Sequence, residues 1–185
     1  MMDFVSTNKT AGIVNLVLNR GKVNALNVKV VEEMHSALAD FENDADTTAI
    51  LMTGQGKFFS FGFDVPEVLS YSEQNFADFL NQFTRLYTYM FLYPKPIVAA
   101  LNGHAIAGGC MLALACDYRV MVSGRAKISL NEISFGSSVF AGSTEMLRFC
   151  VGNRNATEVL YSGAMYTAEE AKVLGLIDAI TAEED

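Results

Sequence analysis

The chain has 185 residues, of which 51% are hydrophobic and 18% are charged, and this composition predicts one packed domain over residues 1–185. Its net charge of -8 argues against nucleic acid or an anionic membrane as a partner. No apolar run approaches the roughly 20 residues of a membrane span, and the N-terminus lacks a signal-peptide pattern, so a cytoplasmic protein is expected. The three cysteines have no CxxC spacing, which indicates reduced core thiols and no metal site.

The first half of the chain alternates predicted strands and helices. Residues 12–19 (GIVNLVLN) carry alternating apolar side chains, as in a half-buried strand. Asn27 follows as the cap of a helix that continues to about residue 43, because its side chain can accept from the free N–H groups of the first turn. Residues 48–53 (TAILMT) predict a buried strand. From 73 to 92 apolar residues recur at spacings of three and four, which predicts a long amphipathic helix.

The second half continues the alternation. Residues 97–101 (IVAAL) predict a buried strand, and the small residues 110–116 predict about two turns of helix. Further elements are predicted as a strand at 118–122, helices at 144–151 and 155–161, a helix opened by a capping box at Thr167 and ended by Gly175, and a strand at 176–180. Strands that alternate with helices predict an α/β fold with a largely parallel sheet.

The segment 94–109 joins a strand to a glycine-led helix and is the clearest local sign of a site. Pro94 and Pro96 cannot lie inside a helix, and Gly108 and Gly109 open the helix that follows the strand. The free backbone N–H groups at the positive end of such a helix can receive an anion or a polarised carbonyl oxygen. The glycine spacing also matches a P-loop, but the Lys-Ser/Thr pair of a P-loop is absent, so nucleotide triphosphate binding is disfavoured.

Four motifs together resemble the crotonase superfamily, the enoyl-CoA hydratase/isomerase fold, over residues 12–181. They are KVNAL at 22–26, FSFGFD at 59–64, PIVAALNG at 96–103 with the glycines that follow, and AEEAKVLGLID at 168–178. The resemblance implies a ββα superhelix and substrates that are coenzyme A thioesters, with coenzyme A as part of the substrate and no separate cofactor. It also implies an oxyanion hole of two backbone N–H groups, which by position are those of Phe63 and Gly108.

The acid/base residues implied by this resemblance favour an isomerase. A hydratase of the family uses two glutamates, whose positions here are occupied by Met111 and Glu132. Methionine cannot activate water or exchange protons, whereas the Δ3,Δ2-enoyl-CoA isomerases move one proton with a single glutamate. The sequence LNE at 130–132 is similar to that of the mitochondrial-type isomerases. The expected catalytic groups are therefore Glu132 and the amides of Phe63 and Gly108.

Eight further residues are expected to bind the substrate or its coenzyme A portion. They are Lys22, Ala25, Phe59, Ser60, Gly62, Asp64, Met111 and Asn131. Lys22 could pair with the coenzyme A phosphates or be a solvated loop charge, and Asp64 fits a helix cap better than a chemical role. Asn131 would help to place the acyl chain. Val139 and Phe140 predict a bulky, dry wall.

Two hypotheses compete with an isomerase. The first is a hydratase or a carnitinyl-CoA-type dehydratase, in which Glu132 works with the substrate or with a distant group. The second is a non-catalytic acyl-CoA-binding relative, in which Met111 marks lost chemistry. Glu145 is a rival base, but its position in a predicted helix suits a solvated or ion-paired role. His104 lies inside the glycine turn and is expected to be a core residue.

The end of the chain and its composition bear on assembly. Members of the family continue beyond the position of Asp185 into C-terminal helices that cover the acyl site and help to build trimers. These helices are therefore expected to be missing from the fold. The 13 Phe, 7 Tyr and 9 Met residues fit a packed surface between subunits or an aromatic core. A homo-trimer or a dimer of trimers is the expected assembly.

Overall fold

The computed structural model describes residues 2–182. The strands are β1 (Val5–Thr10), β2 (Ile13–Leu18), β3 (Ala49–Gly54), β4 (Phe58–Ser60), β5 (Ile97–Leu101), β6 (His104–Ile106), β7 (Tyr118–Val122), β8 (Ile128–Ser129) and β9 (Ala179–Thr181). The α-helices are α1 (Val28–Glu42), α2 (Val65–Val68), α3 (Glu73–Phe91), α4 (Gly108–Leu114), α5 (Ala141–Ser162) and α6 (Ala168–Leu174). A short 3-10 helix, Glu132–Phe135, lies between β8 and α5.

The strands form two sheets that the chain visits in turn. The larger sheet has the order β1-β2-β3-β5-β7-β9, and among the described strands only the β1–β2 pair is antiparallel. The smaller sheet has parallel strands in the order β4-β6-β8. Three successive turns of the chain each give a strand to the larger sheet, a short strand to the smaller sheet and then a helical segment. This repeat confirms the predicted α/β fold, a crotonase-like ββα superhelix.

Side-chain caps fix the helix starts that the sequence predicts. The Val30 amide donates to Asn27 Oδ1 at 3.0 Å, and this satisfies one of the free N–H groups at the start of α1. Thr167 and Glu170 form the predicted capping box at the start of α6. Across residues 2–182, no helix combines the length and the hydrophobicity that crossing a bilayer would require.

Strands β1 and β9 differ from the predictions, whereas the helices before residue 162 agree with them. The sequence does not predict β1, because only Val5 of its six residues is buried and no alternating apolar pattern results. The two helices predicted before residue 162 are confirmed, because α5 consists of two helical parts that meet at a kink at Gly152 (φ 75°, ψ 166°). β9 begins at Ala179, later than predicted, because the apolar residues Leu176 and Ile177 belong to the core instead of the strand.

Two glycines let the backbones around the smaller sheet approach closely. A Cβ added at Gly109 would lie 2.2 Å from the Ser60 carbonyl oxygen, and one added at Gly103 would lie 2.0 Å from that of Lys57. Real Cβ atoms essentially never come within 3.0 Å of such neighbours, so these positions require glycine while the backbones keep this spacing. The end of β4 is therefore held beside the N-terminus of α4.

Candidate active site

A cavity of about 720 Å³ opens beside the N-terminus of α4. It is lined by residues that follow β4 and β6, by parts of α2, α3, α4 and the 3-10 helix, and by the loop before α5: Phe61, Phe63, Val65, Phe76, Leu80, Ile106, Ala107, Gly108, Met111, Asn131, Glu132, Phe135, Ser137, Ser138, Val139 and Phe140. The three predicted catalytic positions, Phe63, Gly108 and Glu132, are all in this lining. Such mostly apolar concave sites with a few polar groups are typical of small-molecule binding.

The backbone of Phe63 is held by a pairing with Leu26 on one side. The Leu26 amide donates to the Gly62 carbonyl oxygen at 2.8 Å, and the Asp64 amide donates to the Leu26 carbonyl oxygen at 2.9 Å. Because successive residues of an extended chain direct their N–H groups to opposite sides, the Phe63 N–H points away from Leu26. This amide is therefore outside the pairing with Leu26, on a residue that lines the cavity.

The Gly108 amide lies next to this segment. A Cβ added at Gly62 would lie 3.0 Å from the Gly108 nitrogen and 3.1 Å from the Ala107 Cβ, so the two backbones nearly touch. Gly108 is the first residue of α4, and the N-terminal N–H groups of a helix have no acceptor within it. The N-cap residue Ala107 has no side-chain oxygen to cap them, and its φ of 49° is strained for a residue with a Cβ.

Two uncapped amides on adjacent segments can bind one oxygen on which negative charge develops. Glycine at position 108 keeps the space between the segments open. A Cβ there would lie 3.2 Å from Cε1 of the Phe63 ring and 3.3 Å from Cδ1 of Leu26. The arrangement is compatible with the predicted oxyanion hole at Phe63 and Gly108.

Glu132 is a buried carboxylate in the cavity lining. The residue is 4% exposed, and its Oε2 accepts no hydrogen bond from the part of the chain that the structure describes. Burial raises its pKa above the ordinary value of 4.5, although a hydrogen bond from its own backbone N–H acts in the opposite direction. A buried carboxylate oxygen without a partner destabilises a fold and is typical of functional sites, where a ligand supplies the missing interaction.

Two other lining residues define the chemistry around Glu132. Asn131 is its neighbour in the chain, and the Asn131 Oδ1 is also buried without a partner among residues 2–182. Met111, on α4, is 2% exposed and contributes an apolar thioether. Among the described residues that line the cavity, Glu132 is the only one with an ionisable side chain. Acid/base chemistry in this cavity therefore depends on one carboxylate.

The raised pKa of Glu132 predicts a specific pH dependence of stability. The folded protein holds this proton more tightly than the unfolded chain, so the stabilisation is complete below the unfolded pKa near 4.5 and is lost as the pH rises through the folded pKa. Glutamine cannot ionise, so we expect Glu132→Gln to have a higher Tm than the parent at neutral pH. The difference should shrink below about pH 4.5, as measured by thermal unfolding across pH. The exposed substitution Glu145→Gln is the control, and an equal gain there would contradict the assignment.

Six residues predicted to bind the substrate or coenzyme A do not line the cavity: Lys22, Ala25, Phe59, Ser60, Gly62 and Asp64. The side chains of Phe59 and Ser60 are fully buried elsewhere, and Ser60 Oγ donates to the Asn24 carbonyl oxygen at 2.8 Å. Contact of these two residues with the substrate or coenzyme A stays a prediction. Lys22 is exposed and Ala25 is half-buried, in the loop between β2 and α1. Contact of this loop with coenzyme A stays a prediction.

Three polar residues weighed for chemistry lie outside the cavity lining. Asp64 caps α2, because its Oδ1 accepts from the Glu67 amide at 3.2 Å, as its sequence position suggests. Glu145 is exposed and pairs with Arg148 at 2.9 Å, which agrees with the predicted ion-paired role. His104 is half-buried in β6, and its Nδ1 has no hydrogen-bond partner within the described residues.

The sequence reasoning missed several cavity walls. Phe61, Val65, Phe76 and Leu80 line the cavity and were not among the candidate site residues. Helical spacing places Phe76 and Leu80 on the apolar stripe of α3, but it cannot tell a residue that faces a cavity from one that faces the core. The bulky wall expected at residues 139–140 is present in the lining.

Several sequence relatives of the chain are named as enoyl-CoA hydratases. The family model described as enoyl-CoA hydratase/isomerase matches residues 8–185. The mitochondrial enoyl-CoA hydratase of Pongo abelii is 35% identical over 174 residues, which are 94% of this chain and 58% of that protein. The short-chain-enoyl-CoA hydratase of Clostridium acetobutylicum is 30% identical over 178 residues, which are 95% of this chain and 68% of that protein. The chain thus spans 58% to 68% of the length of these two relatives.

Solved structures of proteins from this family have the same fold. The enoyl-CoA hydratase of Bacillus anthracis has a TM-score of 0.94 and 30% identity, with 98% of this chain and 71% of that chain covered. The human mitochondrial delta3-delta2-enoyl-CoA isomerase has a TM-score of 0.95 and 28% identity, with 98% and 72% covered. Both reactions therefore occur among proteins of this fold. With its ββα superhelix, its two adjacent amides and its match to the family model, the chain belongs to the enoyl-CoA hydratase/isomerase family.

Proposed function

We propose that the protein is a Δ3,Δ2-enoyl-CoA isomerase in which Glu132 is the single proton shuttle. The observation that carries this proposal is the buried, unpartnered Oε2 of Glu132 in a cavity whose described lining has no second ionisable side chain. Met111 stands at the position where the family resemblance implies the second glutamate of a hydratase. One carboxylate is sufficient for moving a proton but not for the two-glutamate activation of water.

The reaction follows from these groups. The Glu132 carboxylate removes a proton from C2 of the 3-enoyl thioester, and the electron pair moves onto the thioester oxygen to give a dienolate. The amides of Phe63 and Gly108 donate to that oxygen, where the charge develops. Neutral Glu132 then returns the proton to C4, the double bond forms between C2 and C3, and the carboxylate is restored.

The environment of Glu132 suits this role. Burial raises its pKa, which makes the carboxylate a stronger base and its acid form easier to populate during the reaction. The aromatic side chains of Phe63 and Phe140 contribute to an apolar lining of the same cavity, which a bound substrate would leave with little room for water. A dry cavity would also protect the dienolate from protonation by solvent.

Hydration is the second candidate reaction, because the two sequence relatives described above are named hydratases. A binding protein without turnover is the third. Incubation of the purified protein with 3-enoyl-CoA and, separately, with 2-enoyl-CoA distinguishes them. Migration of the double bond supports the proposal, water addition to 2-enoyl-CoA without migration supports a hydratase, and binding without either product supports a non-catalytic relative.

A substitution at Met111 tests why hydration is disfavoured. We expect Met111→Glu to add water to 2-enoyl-CoA about 100-fold faster than the parent, because a second carboxylate can hold and activate water. The 3-hydroxyacyl product is measured by loss of the conjugated enoyl absorbance. Met111→Gln has a similar shape without the charge and should show no gain. A folded Met111→Glu protein that binds 2-enoyl-CoA but hydrates it no faster would contradict this explanation.

Three further parts of the proposal concern contact with coenzyme A, the assembly of subunits and the cellular location. Coenzyme A would contact the loop that contains Lys22 and Ala25, and no separate cofactor would be required. Large apolar side chains that are exposed on the described surface include Leu69, Phe149 and Val173, and their burial between subunits would support a homo-trimer or a dimer of trimers. Light scattering measures this assembly directly. The cytoplasmic location expected from the sequence stays a prediction.

A further inference from the structure

Arg20 joins the loop between β2 and α1 to the start of α2, near the proposed oxyanion hole. Its Nη2 lies 2.7 Å from Asp64 Oδ2 and 2.8 Å from Glu67 Oε2, and its Nη1 donates to the Ala25 carbonyl oxygen at 3.1 Å. The Arg20 side chain is 19% exposed, so these interactions are less screened by water than those of a surface ion pair. One guanidinium therefore links the loop after β2, the residue after Phe63 and helix α2.

The segments that Arg20 links are the ones that hold Phe63. Leu26, the residue after Ala25, donates to the Gly62 carbonyl oxygen and accepts from the Asp64 amide. Phe63 therefore lies between two residues, Gly62 and Asp64, whose backbones are hydrogen-bonded to Leu26. Arg20 contacts both the Ala25 carbonyl oxygen and the Asp64 carboxylate, so it stabilises both of the segments that form this pairing.

Helix α2 depends on the same polar network. It has only four residues, Val65–Val68, none of which is fully buried, and Val68 alone of them packs against the core as a partly buried side chain. Its Glu67 carboxylate accepts from Asn27 Nδ2 at 3.0 Å and from the Tyr71 hydroxyl at 2.9 Å, in addition to the Arg20 contact. Since Val65 lines the cavity, the network also fixes one of its walls.

We infer that Arg20 is the positioning residue for the Phe63 amide, which it holds in place through Asp64 and Ala25. This inference rests on the proposed function, because it assigns a task to one donor of the proposed hole. Arg20 touches no reacting atom. A planar guanidinium can hold two carboxylates and a carbonyl oxygen at once, whereas a lysine ammonium binds as a point charge without that fixed geometry.

The main test is Arg20→Gln, with a spectroscopic readout of the hole itself. A conjugated thioester such as cinnamoyl-CoA absorbs at longer wavelength when its carbonyl oxygen is polarised by hydrogen-bond donors. We expect this red shift to decrease in Arg20→Gln while the probe still binds. With 3-enoyl-CoA, kcat should fall about 10- to 100-fold and KM should change little, because a donor displaced by about 1 Å loses most of its effect on the transition state.

Further variants separate positioning from general damage to the fold. Asp64→Asn keeps an oxygen for capping α2 but removes the charge, and it should show a smaller loss of the same kind. Arg20→Lys should fall between the parent and Arg20→Gln. Arg148→Gln removes an exposed arginine that is paired with Glu145 and should leave the red shift and kcat unchanged. Circular dichroism and urea unfolding verify that each variant is folded, and Asp64→Asn and Arg20→Lys serve as the test if Arg20→Gln is not.

Different outcomes would overturn the positioning role of Arg20 and the proposed isomerase activity. A parental red shift and kcat in folded Arg20→Gln would overturn the inference, as would a wild-type protein that binds cinnamoyl-CoA with no red shift. If the wild type shows the red shift but does not move the double bond of 3-enoyl-CoA, the isomerase proposal fails. The role of Arg20 is then still decided by the red shift of its variants.

Discussion

Glu132→Gln should abolish double-bond migration while the protein still binds the thioester. The amide has a similar size but cannot accept and return a proton, and general acid–base groups contribute about 10²- to 10⁴-fold to rate. We expect kcat with 3-enoyl-CoA to fall by about that factor. Appearance of the conjugated product measures migration, exchange of the C2 proton in heavy water measures the first step, and calorimetry with a saturated acyl-CoA measures binding.

The matched control for this substitution is Glu145→Gln. It makes the same chemical change at an exposed glutamate that is paired with Arg148, and it should leave kcat unchanged. Full activity in Glu132→Gln would exclude Glu132 as the shuttle. Loss of activity only in Glu145→Gln would instead assign the base to the rival position that the sequence also offered.

Gly109→Ala should damage both stability and catalysis. A Cβ at this position would lie 2.2 Å from the Ser60 carbonyl oxygen and 2.8 Å from its carbonyl carbon, and both atoms are backbone. The end of β4 and the start of α4 must then separate by roughly 1 Å, a displacement of catalytic groups that costs about 10²-fold in rate. Overpacking of this kind costs about 1–3 kcal/mol in the free energy of unfolding. Urea unfolding and kcat with 3-enoyl-CoA measure the two effects.

Gly124→Ala is the control for the loss of a glycine. Gly124 has a φ of 91°, and a Cβ there would meet no atom within 4 Å. That variant should lose only about 1–2 kcal/mol from backbone strain and should keep its activity. A Gly109→Ala protein with parental kcat would show that the spacing between β4 and α4 does not govern the reaction.

The parts of the site that the sequence predicts are those with a local chemical signature. Gly62 and Gly109 stand next to the proposed donors, where neighbouring backbone atoms crowd the position of a Cβ. Gly108 is itself a proposed donor, and a Cβ there would press on the side chains of Phe63 and Leu26. These glycines are visible in the sequence alone. Glu132 could be proposed because it is a single charge at the end of an apolar run. That Met111 stands where the family resemblance implies the second glutamate of a hydratase is likewise readable without coordinates.

The parts that the sequence does not predict depend on contacts between distant segments. The link from Arg20 to Glu67 spans 47 positions in the chain, and no periodic pattern signals it. Phe59 and Ser60 lie in a strand of three residues, which is too short to show which face is buried. Strand β1 is held by backbone pairing with β2, while five of its six side chains are exposed. Its sequence therefore has no alternating apolar pattern from which a strand could be predicted.

The pairing of β4 with β6 has a consequence for how activity appears during refolding. These strands join Phe58 to His104 and Ser60 to Ala105, so the chain must close a long loop before their neighbours Phe63 and Gly108 can meet. Helices such as α3 need no such closure and can form early. A refolding chain should therefore recover its helical signal before it recovers turnover, and enzyme assays would report the last stage of folding, not the first.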